Sequence, residues 1–318
     1  MENIVRHRYW WFAISLLIII PGLVYLGLYG LRLGIDFSGG SLWDIRFLER
    51  TQEQLNTNEI AEIFEQQGLE NALVQLSQET VNGVTYPSAI VRTKSASPDE
   101  QEQVIQALSA VYGQVDRSEV QSVGETVSAD STRSAIIAVV AACLVILFYL
   151  TMAFRHAPHP FRYGFCAVLA MLHDVVLVIG VAAILGHHIG LEVDALFLTA
   201  LLTVISFSVH DTIVVFDRIR ENLSHRRSGE KFEDIVNRSI VQTMPRSINT
   251  QLTSLFTLVA LLLFGGESIQ HFVLILLIGL LSGTFSSIFN AAQLLVVWEN
   301  REWRNWFGRR DTEETATA

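Results

Sequence analysis

Two histidine-aspartate pairs lie inside apolar runs of the chain, His173-Asp174 and His210-Asp211. An ionisable side chain at membrane depth costs several kcal/mol and marks a site that handles charge. A carboxyl there can take up and release a proton, and a nearby cation biases which state it holds. The second pair sits in residues 199–222, TALLTVISFSVHDTIVVFDRIREN, which starts apolar and ends in Asp217, Arg218, Arg220 and Glu221. Thr199, Thr203, Ser206, His210 and Asp217 share one helical face. Asp211 lies about 100° round from His210, beside Ser208. Polar residues packed between helices are the plainer explanation, common for Ser and Thr but rare for Asp. Further polar faces follow. Arg246, Thr250, Thr253 and Thr257 form one, and Gly279, Gly283, Ser286, Asn290 and Gln293 another. Asp211 and Arg246 could meet if their helices are neighbours, although Arg246 would serve equally as a snorkelling anchor at a helix end. Together His210, Asp211, Asp174, Asp217 and Arg246 make a candidate proton relay. His187-His188 is a poor metal pair, because adjacent residues on a helix diverge, and it reads as part of a loop.

The elements that position these residues are membrane helices. Half of the residues are hydrophobic, and several apolar runs reach the length of a bilayer crossing. Six helices are expected, at Trp10–Tyr29, Ser134–Phe154, Phe161–Gly186, Leu191–Phe216, Arg246–Phe264 and Ile269–Trp298. The first reads as an uncleaved anchor, its apolar core being long for a signal peptide. Basic residues gather before the first helix, in alternate loops (the largest group at 217–246) and in the 299–318 tail. That asymmetry puts both termini in the cytoplasm and the segment between helices one and two outside. Phe232, Ile235, Val236 and Ile240 suggest an amphipathic stretch lying on the membrane surface. The net charge of −10 and the lack of a basic patch with interleaved aromatics exclude a nucleic-acid binder. Cys143 and Cys166 lie in apolar runs and read as packing residues. No H-E-x-x-H, G-x-S-x-G or phosphate loop occurs. The chain is therefore expected not to be an enzyme and to need no cofactor or metal, its energy coming from a gradient or a partner.

Residues 31–133 read as a folded outer domain. Trp43, Ile45 and Phe47 alternate with Asp44 and Arg46 as in a strand. A helix carrying Ile60, Ile63 and Phe64 follows, then a hairpin turning at Asn82-Gly83. Ser97-Pro98-Asp99-Glu100 is a capping box opening a second helix with a Val104, Leu108, Val111 stripe. A last strand near Arg117–Val123 completes a ferredoxin-like βαββαβ order. Gly34, Asp36, Gly39 and Gly40 form a linker into this domain, whose paired glycines suggest a positive φ or a close backbone approach; a plain turn explains them as well.

The stretches GIDFSGG at 34–40, HDVV at 173–176, HDTIVVFDRIREN at 210–222, MPRSINTQLTSLFTLVALLLFGGESI at 244–269 and GTFSSIFNAAQLLVVW at 283–298 resemble the SecD/SecF family. The length and the modest outer domain resemble its SecF branch. The resemblance covers nearly the whole chain. It implies an RND-like half-bundle completed by SecD, working beside the SecYEG channel in a bacterial plasma membrane, with a plastid membrane also open. It also implies use of the proton-motive force to complete preprotein export after the SecA ATPase has pushed from inside. By position, Asp211 is the family's intramembrane acid and Arg246 its basic partner, acting with an Asp on SecD. Two other readings remain: a proton-driven exporter of small molecules or lipids, and a scaffold that couples to nothing.

Overall fold

The computed structural model describes residues 3–81 and 84–302 and divides into two units, the smaller being Leu33–Ile136. A 3-10 turn, Val5–His7, leads into α1, Arg8–Tyr29. The smaller unit opens with the single turn α2, Ile35–Ser38, which contains Asp36. Gly39 (φ 73°) and Gly40 (φ 115°) follow, and a Cβ on Gly40 would sit 2.4 Å from the Thr93 carbonyl oxygen. Only glycine fits that step into the sheet.

The unit then runs β1 (Gly40–Phe47), α3 (Thr57–Gln66), β2 (Leu73–Val81), β3 (Val84–Thr93), α4 (Pro98–Tyr112) and β4 (Val115–Val123). The sheet order is β2-β3-β1-β4, with every neighbour antiparallel. Trp43, Ile45 and Phe47 alternate inward from β1 and meet Ile60, Ile63 and Phe64 of α3 and Val104 and Leu108 of α4. Both halves of the Ser97–Glu100 capping box form. The α4 stripe ends differently from expectation. Val111 is 43% exposed, whereas Tyr112 is buried, with its ring edge-on to Phe47 and its hydroxyl donating to Glu59 Oε2 at 3.0 Å. Steps of four from Val104 through Leu108 lead to residue 112, so the larger side chain takes the core position. The Asn82-Gly83 turn and residues 303–318, with Arg304, Arg309 and Arg310, lie outside the described residues.

The second unit holds α5 (Glu125–Ala153), which continues from the smaller unit, then α6 (Pro160–Ile189), α7 (Ala195–Ser224) and α8 (Phe232–Phe264). Next come α9 (Glu267–Ser286), a π turn at Ser287–Ala291 and α10 (Ala292–Glu299). With α1 and α9–α10 counted as single spans, six helices are long and apolar enough to cross a bilayer. Half of the apolar window of α6, α7 and α9–α10 is buried, against 11%, 6% and 11% for α1, α5 and α8. The three well-buried spans form the core.

Several boundaries differ from the sequence reading. The second span starts at Glu125 rather than Ser134, because its polar lead stays helical. The fifth starts at Phe232 rather than Arg246 and carries Pro245 inside it. The expected surface stretch is therefore the first part of α8, and Ile235, Val236 and Ile240 are fully buried in protein. His187 and His188 belong to the last turn of α6, with Tyr29 stacked 4.3 Å from His187, rather than to a loop. The sixth span is broken by the π turn.

Small residues set the closest approaches. A Cβ on Gly22 of α1 would lie 2.7 Å from Gly180 Cα of α6, and one on Gly279 of α9 would lie 2.1 Å from Val204 Cγ2 of α7. At the end of the bundle where the chain starts, Arg8 forks onto Glu302 at 2.6 and 3.0 Å and reaches Glu233 at 3.1 Å. Tyr9 donates to Glu302 at 2.7 Å and Asn300 to Glu233 at 2.7 Å. This clasp joins the starts of α1 and α8 to the chain just past α10.

Burial alone would raise the Glu302 pKa, but the hydrogen bonds from Arg8, Tyr9 and Asn300 outweigh it and hold it below its usual range. A carboxyl depressed in the folded state stabilises above its unfolded pKa, about 4.3 for Glu. The contribution is lost as pH falls through the folded value. Glu302→Gln should lower bundle stability by about 1 kcal/mol at neutral pH. The difference from wild type should vanish at acid pH. Unfolding titrations in detergent at both pH values check this, and equal stability at neutral pH would remove the clasp from the account.

Candidate functional site

Asp174, near the middle of α6, has no exposed surface. Its Oδ2 accepts from Ser208 Oγ of α7 and Ser286 Oγ of α9, each at 2.6 Å. Its Oδ1 accepts from Ser282 Oγ of α9 at 2.6 Å and lies 3.1 Å from His173 Nδ1. A carboxylate offers about four acceptor positions, and here three serine hydroxyls and the His173 ring face them. The surrounding hydroxyls extend the network: Ser287 Oγ donates to the Ser208 carbonyl at 3.0 Å and lies 3.0 Å from Thr212 Oγ1. One acid thus fixes the register of α6, α7 and α9.

Asp211 is also buried, at 3% exposure. Its setting is sparser. Gln251 Nε2 of α8 donates to its Oδ2 at 2.5 Å. Arg246, expected as its partner, is exposed and makes no ion pair with it. Arg246 instead lines an open cleft of about 440 Å³ between α7 and α8 with Val214, Asp217, Arg218, Glu221 and Thr243. Asp217 pairs with Arg220 at 2.6 Å, one turn away.

The expected polar stripe of α7 faces outward, and the face about 100° round from it, with Asp211 and Ser208, faces inward. Thr199, Ser206, His210 and Asp217 are exposed and Thr203 is half-buried, whereas Ser208, Asp211 and Thr212 point inward. On α8, Thr250 and Thr253 are exposed. On α9 and the π turn, Ser286 and Asn290 are buried, and the Asn290 amide donates to Ser15 of α1 at 2.9 Å. The structure therefore joins Asp174 to Ser286 and leaves His210, Asp217 and Arg246 on outer or cleft surfaces. Six buried participants were missed: Ser15, Thr212, Ser247, Gln251, Ser282 and Ser287. A signal for two of them existed, since Thr243, Ser247 and Gln251 recur every fourth residue along α8. Among the described residues, no group of three or more His, Cys, Asp or Glu could hold a metal ion.

Six apolar spans among the described residues with two acids buried among them, and a small α+β unit after the first span, define a multi-pass membrane protein with carboxyl groups inside its bundle. Residues 103–301 match the family described as "Protein export membrane protein SecD/SecF, C-terminal". The chain belongs to the SecD/SecF family. It is 50% identical to the "Protein translocase subunit SecF" of Thermobaculum terrenum over the whole of both chains. It is 45% identical to that of Anaerolinea thermophila, over 97% of this chain and 98% of the other. Against the "Protein translocase subunit SecDF" of Bacillus subtilis identity is 33%, over 93% of this chain but 38% of the longer one. The crystal structure of SecDF from Thermus thermophilus, "a translocon-associated membrane protein", superposes with TM-score 0.78 at 29% identity, over 94% of this chain and 39% of that one. This chain is thus like a part of those two longer proteins.

Asp174→Leu strands three serine hydroxyls and should lower bundle stability by about 3 kcal/mol, near 1 kcal/mol for each bond. Ser282→Ala should lower it by about 1 kcal/mol. Equilibrium unfolding in mixed micelles reads both, and a loss for Asp174→Leu no larger than for Ser282→Ala would refute the clamp.

Proposed function

We propose that this chain is an accessory subunit of the Sec protein translocase, paired with SecD, and that it uses the proton-motive force to drive late steps of preprotein export. The observation that carries the reading is Asp211: a carboxyl buried in a membrane bundle, bonded by one amide among the described residues, on the helix whose next turns line a polar cleft. A group so lightly held can change its protonation state without dismantling its surroundings. The basic loops argue for a cytoplasmic cleft and cytoplasmic termini in a bacterial plasma membrane. Asp211 then takes or loses a proton by way of that side, with Arg246 and Asp217 setting the field in the cleft. Deprotonation leaves a charge that attracts Arg246, and protonation removes it, so the α7–α8 contact has two arrangements.

The exposed His210, Ser206 and Thr253 support the pairing with SecD. Polar groups facing lipid are costly, and a second bundle can cover them. The outer unit, with its βαββαβ order, reads as a ferredoxin-like domain that moves with the bundle or handles the emerging chain. SecYEG and SecA enter as neighbours in the same export pathway. The gradient replaces any bound cofactor as the energy source.

Each proton crossing supplies about 2.3 kcal/mol per 100 mV. Its loss slows a coupled step more than tenfold, roughly a factor of ten for each 1.4 kcal/mol. Preprotein translocation into inverted vesicles that contain SecD, with ATP exhausted and a proton gradient imposed, reads this directly. Wild type should complete export, while Asp211→Asn and Arg246→Met stall at normal levels of assembled complex. Normal export by Asp211→Asn would leave only a scaffold.

A further inference from the structure

Four polar side chains in the bundle carry buried atoms with no hydrogen-bond partner among the described residues. They are His173 Nε2, Ser247 Oγ, Gln251 Oε1, and both Oε1 and Nε2 of Gln293. Gln293 has no exposed surface, Ser247 is 2% exposed and Gln251 is 9% exposed. A buried polar atom left without a partner costs about 1–3 kcal/mol, so a bundle that retains five of them in four residues has a use for them.

Their levels along the bundle follow from the register. Helices α7 and α8 run antiparallel: Asp211 bonds Gln251, Arg218 bonds Gln242, and Asn222 bonds Ser239. That register sets Ser247 level with Val214–Val215, between Asp211 and the Asp217 end of the cleft. Helices α7 and α9 run parallel: Val204 meets Gly279, Ser208 meets Gly283, and Thr212 meets Ser287. Carried on by the rise of α10, this sets Gln293 near the level of Arg218, about 9 Å past Ser287. Apart from His173, which sits beside Asp174 at the level of Ser208, the unpartnered atoms therefore descend in steps: Gln251 at Asp211, Ser247 one turn further, and Gln293 level with the cleft. The cleft is itself polar, lined by Asp217, Arg218, Glu221 and Arg246.

We propose that Gln251, Ser247 and Gln293 hold a short file of water that joins the Asp211 carboxylate to the cleft and carries its proton. The proposal rests on Asp211 being the proton-exchanging acid. A buried water makes about three hydrogen bonds to such groups, and these atoms supply donors and acceptors of both kinds. Gln251 is a positioning residue: its amide holds the carboxylate, and its free carbonyl accepts from the first water. Ser247 can both donate and accept, so a proton can pass through the hydroxyl, with one O–H bond forming as the other breaks. Nothing is consumed, and the net change is one proton moved from the cleft to Asp211.

The test uses the full chain with its SecD partner in sealed vesicles. Cys143→Ala and Cys166→Ala clear the background thiols. Single cysteines are then placed by Ser247→Cys and Gln293→Cys, with Val215→Cys as a control at the Ser247 level in apolar packing. Silver ions, which are close to water in size, are added from the cleft side. The two file positions should react about tenfold or more faster than the control, since thiol reactivity follows access and ionisation. Equal rates overturn the proposal. In the same vesicles Ser247→Ala should slow proton-driven export about tenfold. Ser247→Thr, which keeps the hydroxyl, should restore it. Export unchanged by Ser247→Ala overturns the proton path even if silver reacts. Asp211→Asn is run alongside. If it exports normally, the coupling function fails on its own account, and the silver rates alone decide whether the file exists.

Discussion

The bundle depends on one constraint: a carboxylate cannot be sealed among apolar helices unless its acceptor positions are filled. Asp174 is sealed, so donors must reach it. Serine is the shortest hydroxyl side chain, and three serines from α7 and α9 end at 2.6 Å. Short donors demand close backbones. Gly279 and Gly283 allow α9 to lie against Val204 and Ser208, where a side chain would collide or crowd. The π turn follows at once, at Ser287–Ala291, and turns Asn290 onto Ser15 of α1. Polar satisfaction, helix distance and helix irregularity are thus parts of one solution.

The second acid shows what the first excludes. Asp174 is tied to α7 and α9 through three serine hydroxyls. Asp211 is held by Gln251 alone, on a helix whose apolar window is mostly unburied. One acid binds three helices together, and the other meets a single amide among the described residues. Two His-Asp pairs with the same local sequence therefore have different characters, and the difference lies in what faces them across the helix contacts.

That difference also marks how far the sequence could be read. The spans, the strand alternation of Trp43, Ile45 and Phe47, and the capping box at Ser97 are local patterns, and local physics decides them. Which of two acids would be saturated is not local. It turns on the parallel register of α7 and α9, a sum of contacts across eighty residues of chain. The start of α8 was misplaced for a related reason. Pro245 and the charged run before it look like a boundary, yet Ile235, Val236 and Ile240 are buried tightly enough to keep the helix going through the proline. Ser247 and Gln251 were legible as a four-residue repeat. Arg246, adjacent and charged, lies one step off that inward face and masks the repeat.

His210 and Asp211 are consecutive, and consecutive residues on a helix diverge by about 100°. Asp211 therefore points into the bundle while His210 points out, on the face that carries Ser206. A change of charge on Asp211 is felt at His210 without any relay of side chains, since the two share one backbone step. If that outer face is seated against a second bundle, α7 is both the wall of the proton site and the contact with the partner. Saturation of Asp174 then has a second consequence. By fixing α7 at Ser208, one turn from Asp211, it leaves the free movement to α8, the helix that carries Gln251 and Arg246. Under the proton-coupled reading proposed above, protonation of Asp211 would act on those two side chains rather than on the core.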